Sequence, residues 1–247
     1  MQLQQKYYKN LGYKMIKNNY PLGYLVNITL VITLVTPLVS ISLADTIIDP
    51  NPLRFQKEIK NFNWQDAKNS FPQHGQLFIG SSTIYKWKTA RDFPNLPIIN
   101  RGLAGAQISD INFYFNQIVA RYKPAQVIFY CGDNDVADNK DAAQILADFS
   151  AFSRQLEQIL PTTQILFLAI KPSPARWNIW SKMVLANIAI AKYCQANDRC
   201  TYIDTATPLL NHNGFPDKTL FKADGLHLSK TGYTIWRDIL SDRLNHQ

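Results

Sequence analysis

Five short apolar runs most strongly constrain what this chain can fold into. Each run is apolar throughout, as strands buried on both faces of a parallel sheet are, and stretches with helical spacing separate the runs. The runs occupy residues 77–79, 98–99, 127–130, 165–170 and 202–203. Because right-handed crossover helices usually connect parallel strands, this alternation predicts a doubly wound α/β sandwich, with five parallel strands and helices on both faces.

Apolar residues at helical spacing predict the connecting helices. Residues 108–122 carry one such pattern and residues 145–159 carry another. A third helix is predicted to begin near Met183, and Ser229 is placed to cap the N-terminus of a last helix. With 247 residues, 46% of them hydrophobic, the chain has enough apolar material for one sizeable core, which predicts a single main domain.

The charge of the chain argues against a nucleic-acid partner. The chain has 26 Lys and Arg and 18 Asp and Glu, a net charge of +8. Four lysines, at positions 6, 9, 14 and 17, fall within residues 1–44, which hold no acidic residue, so the remainder carries 22 − 18 = +4. The other basic residues are scattered singly and form no stripe that could follow a phosphate backbone. We therefore expect no nucleic-acid partner.

The first 44 residues have the layout of an export segment. Residues 18–44 are uncharged, residues 25–43 are mostly Leu, Val and Ile, and lysines precede them. Ser42 and Ala44 provide the small residues for a signal-peptide cleavage after Ala44. Residues 25–43 could instead span the hydrocarbon layer as an uncleaved anchor, although Pro37 weakens such a helix. Both alternatives predict that residues 45–247 form a domain exported to the periplasm or out of the cell.

Export changes how the three cysteines are interpreted. Cys194 and Cys200 bracket a hydrophilic stretch, and in an oxidising compartment they could form a disulfide or remain two thiols. Cys131 lies in an apolar run, which favours a buried and unreactive thiol. No pair of cysteines has the spacing of a zinc finger, so we expect no metal site here.

Small and polar residues follow the predicted strands at the edge where chemistry is expected. In a doubly wound sheet, ligands bind beyond the carboxyl ends of the strands. Ser82 follows the first run, Gly105 the second and Asn134 the third, while Asp224 and His227 follow the last run after a long loop. We therefore expect these five residues to converge on one rim of the sheet.

The five residues have the chemistry of nucleophilic catalysis. Ser82 stands at a strand-to-helix turn, where backbone amides favour developing negative charge. Asp224 and His227 are three residues apart, so the carboxylate can accept the imidazole Nδ1–H and leave Nε2 to take the serine proton. The amides of Ser82 and Gly105 and the side chain of Asn134 are candidate donors to an oxyanion.

With these residues in this order, the chain resembles the SGNH hydrolases, also called the GDSL esterase/lipase superfamily. The four signature residues of that family match Ser82, Gly105, Asn134 and His227, and Asp224 matches the acid three residues before the histidine. The resemblance runs from about Leu53 to the C-terminus.

The resemblance implies a flavodoxin-like three-layer sandwich and a serine hydrolase mechanism without a cofactor. In that mechanism Ser82, His227 and Asp224 form the catalytic triad, and Ser82, Gly105 and Asn134 form the oxyanion hole. One position departs from the commonest pattern of the family, because Ser81 stands where an Asp is usual. The departure leaves the nucleophile in place and puts in question the hydrogen bonds at that turn.

Acidic residues surround Asn134 and invite comparison with a calcium loop. They are Asp133, Asp135, Asp138 and Asp141. Counted from the first of them, the sixth position is not Gly and the twelfth is not Glu, as an EF-hand would require. We therefore expect a solvated acidic loop that binds no metal.

The residues that follow the fourth run are candidates for contacting the substrate, and they leave open whether it is a glycan or carries an acyl chain. Arg176, Trp177 and Trp180 lie in a stretch that should overhang the rim and contact substrate, or alternatively pack on the body as a stiff surface loop. A tryptophan face could stack on a sugar ring or line a site for an acyl chain. No long apolar lid follows the export segment, which favours short acyl groups, such as acetyl, on a small molecule or a glycan.

Two other functions stay open at this point. One is a lysophospholipase or thioesterase that acts on longer acyl chains, and the other is a non-catalytic exported binding module. The sequence also leaves the oligomeric state open.

Overall fold

The computed structural model describes residues 49–244. The predicted export segment, residues 1–44, lies outside the described residues. Within residues 49–244, no helix has the combination of length and apolar character that crossing a bilayer requires.

A parallel sheet forms the centre of the fold in residues 49–244. Its five strands are β1 (Gln76–Gly80), β2 (Ile98–Gly102), β3 (Gln126–Tyr130), β4 (Gln164–Leu168) and β5 (Cys200–Ile203). Their order in the sheet is β2-β1-β3-β4-β5, and every neighbouring pair is parallel. This is the strand order of flavodoxin-like folds, and it confirms the predicted fold class.

Helices connect the strands, except that the first helix precedes β1 and the last follows β5. They are α1 (Gln56–Lys68), α2 (Ser82–Tyr85), α3 (Thr89–Asp92), α4 (Ile108–Phe113), α5 (Phe115–Ile118), α6 (Asp133–Ala137), α7 (Ala142–Ile159), α8 (Trp180–Gln195) and α9 (Lys230–Leu244). Short 3-10 helices occupy Pro52–Phe55, Ala120–Tyr122, Pro174–Ile179, Thr207–Leu209 and Lys218–Leu220.

The core has two layers because alternate side chains of each strand point to opposite faces of the sheet. On one face, Tyr130 of β3 packs on Trp236 of α9, with ring centroids 5.1 Å apart. On the other face, Phe129 of β3 packs on Phe152 of α7, with ring centroids 4.7 Å apart. Both faces of the sheet are therefore covered, which explains why its strands are apolar throughout.

One predicted helix is interrupted in the structure. Residues 108–122 form α4, α5 and a short 3-10 helix, and the first break falls at Tyr114. At Tyr114 the backbone leaves the helical region, with a φ of −94° and a ψ of +12°, and the side chains of Tyr114 and Phe115 are both buried. The Tyr114 hydroxyl donates to the Pro52 carbonyl at 3.0 Å, which ties the residue at this break to the 3-10 helix of Pro52–Phe55.

The other predicted helices form. Residues 145–159 lie in α7, and α8 begins at Trp180, one turn before the predicted start near Met183. The Ser229 hydroxyl accepts the amide N–H of Gly232 at 3.2 Å, so Ser229 caps α9 as predicted.

Two of the three cysteines form a disulfide, and the third has a free thiol. Cys194, near the end of α8, forms a disulfide with Cys200, the first residue of β5. The sequence left this bridge open as one of two alternatives. Cys131 is buried with a free thiol, as predicted, and burial raises the pKa of that thiol well above its usual range.

The two-layer core predicts a strong position dependence for phenylalanine substitutions. Phe129→Ala should lower the free energy of unfolding by about 3–5 kcal/mol, because the fully buried ring leaves a cavity between the sheet and α7. Phe113→Ala, at a ring that is 55% exposed, should cost about 1 kcal/mol or less. Denaturant unfolding of both variants measures the difference, and equal losses would contradict this assignment of the core.

Candidate active site

The predicted site residues lie at the carboxyl ends of neighbouring strands. Ser82 begins α2 directly after β1, Gly105 follows β2, and Asn134 lies in α6 directly after β3. Because β1 pairs with both β2 and β3, these three residues reach the same edge of the sheet. The direction of strand order reverses beside β1, and such a switch point is where doubly wound folds bind ligands.

Glycine at the end of β1 allows the turn that presents Ser82. Gly80 has a φ of +134°, and a Cβ atom there would lie 1.7 Å from the carbonyl oxygen of Tyr130 in β3. A side chain at this position is therefore excluded. The amide of Ser81 then donates to the same carbonyl oxygen at 2.9 Å, which ties the turn to β3.

Ser82, His227 and Asp224 form a hydrogen-bonded chain. The Nε2 atom of His227 lies 3.1 Å from the Oγ atom of Ser82, although the two residues are 145 positions apart. The Nδ1 atom of His227 lies 2.7 Å from the Oδ2 atom of Asp224. The structure thus brings together the three residues predicted from the sequence, in the order that a serine nucleophile requires.

The tight turn from Asp224 to His227 keeps the carboxylate ionised. One oxygen of Asp224 accepts the amides of Leu226 and His227, both at 2.9 Å, and the other accepts the imidazole. Desolvation opposes the charge, but the hydrogen bonds from His227 and Leu226 outweigh it and lower the pKa of Asp224. An ionised Asp224 holds the Nδ1–H tautomer of His227 and leaves Nε2 to face the serine.

Three groups could donate to an oxyanion beside Ser82. Within residues 49–244, the amides of Ser82 and Gly105 donate to no protein acceptor, so both are available. Gly105 has a φ of +85°, which turns the backbone of its loop, and it borders open space. The side-chain amide of Asn134 donates to the Ala106 carbonyl at 2.9 Å through Nδ2, which carries a second N–H group.

Ser81, which departs from the common family pattern, belongs to a buried polar cluster. Its hydroxyl donates to the Oδ1 atom of Asp133 at 3.4 Å, and Lys171 Nζ lies 3.4 Å from the Oδ2 atom. Ser81, Asp133 and Lys171 are all at most 3% exposed. The carboxylate of this cluster therefore comes from the first residue of α6, after β3, and the turn after β1 supplies a hydroxyl donor.

The four acidic residues around Asn134 divide between the interior and the surface, because Asp138 and Asp141 are exposed as predicted whereas two are not. Asp133 and Asp135 are buried, at 3% and 0% exposure, which corrects the prediction for these two residues. Asp135 accepts the amide of Ile108 at 3.1 Å and thereby joins the segment after β3 to the start of α4. A hydrophobic periodicity would not reveal these carboxylates, but their position directly after a buried strand was a usable signal.

Asp135 is only partly compensated by its neighbouring cation. Lys140 Nζ lies 2.5 Å from Asp49 and 2.7 Å from Asp148, but 3.6 Å from Asp135. Burial raises the pKa of Asp135 to about 7, even though Lys140 and the Ile108 amide favour the charged form.

The three predicted substrate-contacting residues have different environments. Arg176 is half-buried and binds protein atoms, with its Nη2 donating to the Oδ1 atom of Asn134 at 2.9 Å. Trp180 is 4% exposed and stacks on Trp177, with centroids 6.2 Å apart. Trp177 is partly exposed and also contacts the exposed Phe215, at 5.5 Å. The contact between Arg176 and Asn134 was not predicted from the sequence.

Metal ligands do not gather in the part of the chain that the structure describes. No group of three or more His, Cys, Asp or Glu side chains in residues 49–244 could hold a metal ion.

The comparison with known families agrees with this geometry. The sequence model of the GDSL-like lipase/acylhydrolase family matches residues 80–235, a span that includes every residue placed at the rim. The chain belongs to the GDSL-like lipase/acylhydrolase family. This acylhydrolase is therefore an ester-hydrolysing enzyme, as the resemblance in its motifs implied. No curated protein matches its sequence.

Solved structures share the fold of this acylhydrolase. A Streptococcus pneumonia protein assigned as a platelet activating factor superposes with a TM-score of 0.70 at 23% identity, covering 78% of this chain and 94% of its own. A GDSL-like lipase from Bacteroides thetaiotaomicron has a TM-score of 0.65 at 19% identity, covering 76% and 97%. A catalytic mutant of Axe2, an acetylxylan esterase from Geobacillus stearothermophilus, has a TM-score of 0.58 at 13% identity, covering 72% and 98%.

The buried Asp135 predicts a pH-dependent stability. Its carboxyl is protonated in the folded chain up to a pKa of about 7, whereas the unfolded chain ionises near pH 4. The stability of the acylhydrolase should therefore fall as pH rises from about 4 to 7, by a few kcal/mol from this group. Asp135→Asn keeps the acceptor for Ile108 and removes the charge, so it should gain stability relative to wild type over that interval.

Denaturant unfolding at pH 4.5 and pH 8 measures this effect. Asp238→Asn, at an exposed carboxylate of α9, is the matched control and should follow wild type at both pH values. A difference between Asp135→Asn and wild type that stays constant with pH would show that Asp135 titrates alike in the folded and unfolded chains.

Proposed function

We propose that this acylhydrolase is a serine esterase that cleaves short acyl esters, in particular acetyl esters, through an acyl-enzyme intermediate. The observation that carries the proposal is the 3.1 Å separation of His227 Nε2 and Ser82 Oγ, together with the 2.7 Å separation of His227 Nδ1 and Asp224 Oδ2. A serine hydroxyl is a weak nucleophile unless a base takes its proton, and His227 is placed to do so.

The first half of the proposed reaction acylates the serine. Ser82 Oγ attacks the ester carbonyl carbon while its proton passes to His227 Nε2, and the ionised Asp224 stabilises the resulting imidazolium. The carbonyl oxygen becomes an oxyanion held by the amides of Ser82 and Gly105 and by Asn134 Nδ2. The intermediate then collapses, the ester C–O bond breaks, and His227 returns its proton to the leaving alcohol.

The second half releases the acid. Water attacks the acyl carbon of the Ser82 ester, and His227 takes the proton of the water. The second oxyanion collapses with cleavage of the bond to Ser82 Oγ, which recovers its proton from His227. The carboxylic acid leaves and the free enzyme is restored, without any cofactor.

Two observations support a short acyl group on a glycan or other small alcohol. The structural relative Axe2 is an acetylxylan esterase, at 13% identity over 72% of this chain. The rings of Trp177 and Phe215 also pack together, with centroids 5.5 Å apart. Trp177 directly follows Arg176, the residue that contacts Asn134. Partly exposed aromatic rings of this kind could stack on a sugar ring next to the site.

Hydrolysis of p-nitrophenyl acetate, butyrate and octanoate tests the proposed reaction and acyl length. Wild type should prefer acetate, and Ser82→Ala should lower kcat at least ~10⁴-fold because the nucleophile is lost. Ser241→Ala, at a hydroxyl on α9 bonded to the Arg237 carbonyl, should keep wild-type activity. A fluorophosphonate should label wild type and not Ser82→Ala.

The same assay separates the alternatives. Equal activity of wild type and Ser82→Ala on every ester would refute the proposed reaction and favour a binding module. A preference for octanoate that vanishes in Ser82→Ala would keep the nucleophile and replace the short acyl group by a longer chain.

We also propose that the acylhydrolase is exported by its first 44 residues. The support is the uncharged apolar stretch of residues 25–43 behind four lysines, and the small residues that precede position 45. The full chain expressed with its own N-terminus should yield a mature protein that begins at Asp45. Sequencing of its N-terminus measures this, and a cytoplasmic product that keeps residues 1–44 would contradict export. A product uncleaved in the membrane fraction would indicate the anchored alternative.

A further inference from the structure

We propose that Arg176 is a positioning residue for the proposed reaction. It holds the side-chain amide of Asn134 in the one orientation that leaves an N–H group free to donate to the oxyanion. The inference rests on the proposed function, in which Asn134 donates a hydrogen bond to the oxyanion.

Hydrogen bonds at both ends determine the orientation of the Asn134 amide. Arg176 Nη2 lies 2.9 Å from the Oδ1 atom of Asn134, and a guanidinium can only donate, so the atom facing it must be the carbonyl oxygen. At the other end, Nδ2 donates to the Ala106 carbonyl at 2.9 Å. Rotating the amide by 180° would place donors against donors at Arg176 and oxygen against oxygen at Ala106.

This orientation leaves one donor unused. The NH₂ group of Asn134 has two N–H bonds, and Ala106 accepts only one of them. The second is free to bind a developing negative charge, and it is already oriented before substrate arrives. Donors that need no reorganisation during the reaction stabilise an oxyanion most effectively.

The guanidinium of Arg176 is itself held by a buried charge. Its Nη1 lies 3.1 Å from the Oδ2 atom of Asp133, the residue directly before Asn134. Desolvation opposes the charge of Asp133, but Lys171 and Arg176 outweigh it and lower the pKa of this carboxyl. One planar side chain therefore bridges two adjacent residues, which the fork of a guanidinium permits and a single ammonium does not.

The segment that carries Arg176 also touches the turn of the Asp–His pair. The amide of Ala175 donates to the Gly225 carbonyl at 3.0 Å. Gly225 lies between Asp224 and His227 and has a φ of +62°, and a Cβ atom there would lie 3.3 Å from Pro174. Residues 174–176 thus contact the segments of both Asn134 and His227, which limits the movement of Arg176.

These contacts favour positioning over direct substrate binding, the role expected from the sequence. Both terminal nitrogens of Arg176 are within 3.1 Å of protein oxygens, and the side chain is 20% exposed. A residue that binds substrate changes KM whether or not Asn134 is present. A residue that acts through Asn134 changes kcat and loses its effect once Asn134 is removed.

A double-mutant cycle with p-nitrophenyl acetate tests the proposal. Asn134→Ala should lower kcat roughly 100-fold or more, because one oxyanion donor is lost. Arg176→Met should lower kcat about 10- to 100-fold with KM changed less than about threefold, because the donor is misplaced. In the Asn134→Ala background, Arg176→Met should lower kcat by less than about threefold. Arg237→Met, at an arginine paired with Asp238 on α9, should match wild type.

Arg176→Lys is the control for a folding defect in Arg176→Met, because lysine keeps a positive charge beside Asp133. It should keep the melting temperature of wild type, lower kcat about tenfold, and lose that effect in the Asn134→Ala background. Wild-type kcat in Arg176→Lys would overturn the proposal. So would equal losses for Arg176→Met with and without Asn134, or a rise in KM at constant kcat, which would make Arg176 a substrate contact.

Failure of the inference is distinguishable from failure of the proposed function. If Ser82→Ala and Asn134→Ala lose activity while the Arg176 variants keep it, only the positioning role is wrong. If Ser82→Ala keeps wild-type activity, the proposed reaction itself is wrong.

Discussion

The parallel pairing of β1 between β2 and β3 is the constraint on which the rest of the structure depends. Because neighbouring parallel strands end at the same edge, Ser82, Gly105 and Asn134 meet although they belong to three separate segments. The pairing requires a glycine at position 80, where any Cβ would overlap the Tyr130 carbonyl. A side chain there would displace the turn that carries Ser82 and would disrupt the pairing of β1 with β3. The absence of a side chain at position 80 is therefore required both for the sheet and for the site.

Different cationic neighbours give the two buried carboxylates Asp133 and Asp135 opposite pKa shifts at this rim. Asp133 faces Lys171 and Arg176 and stays ionised, whereas Asp135, whose nearest cation is 3.6 Å away and shared with two other carboxylates, has a raised pKa. Both flank Asn134. One supplies a fixed charge that anchors Arg176, and the other accepts the Ile108 amide and links α4 to the segment after β3. The surroundings of Asn134 are thus held by polar contacts, which are directional, as well as by apolar packing.

Much of the fold could be predicted because it follows from local periodicity. Short apolar runs predicted five strands, and residues 145–159 and Ser229 predicted two helices that the structure contains. The break at Tyr114 was not predicted; the hydroxyl of this residue donates to the Pro52 carbonyl, 62 positions away, and local periodicity does not reveal such a contact. The disulfide was left open, because spacing alone does not reveal whether two cysteines end one element and begin its neighbour.

The sequence by itself determined the fold class, the family and the order of Ser82, Gly105, Asn134, Asp224 and His227, since these are written in periodicity and in motifs of a few residues. Only the tertiary structure decided which acidic residues are buried and where Arg176 points. Arg176 and Asn134 are 42 positions apart and lie in segments that follow different strands, and no periodic pattern encodes such a pair. Their contact depends on how two strand ends are placed in the sheet and on the buried carboxylate between them, and both arise only when the chain has folded.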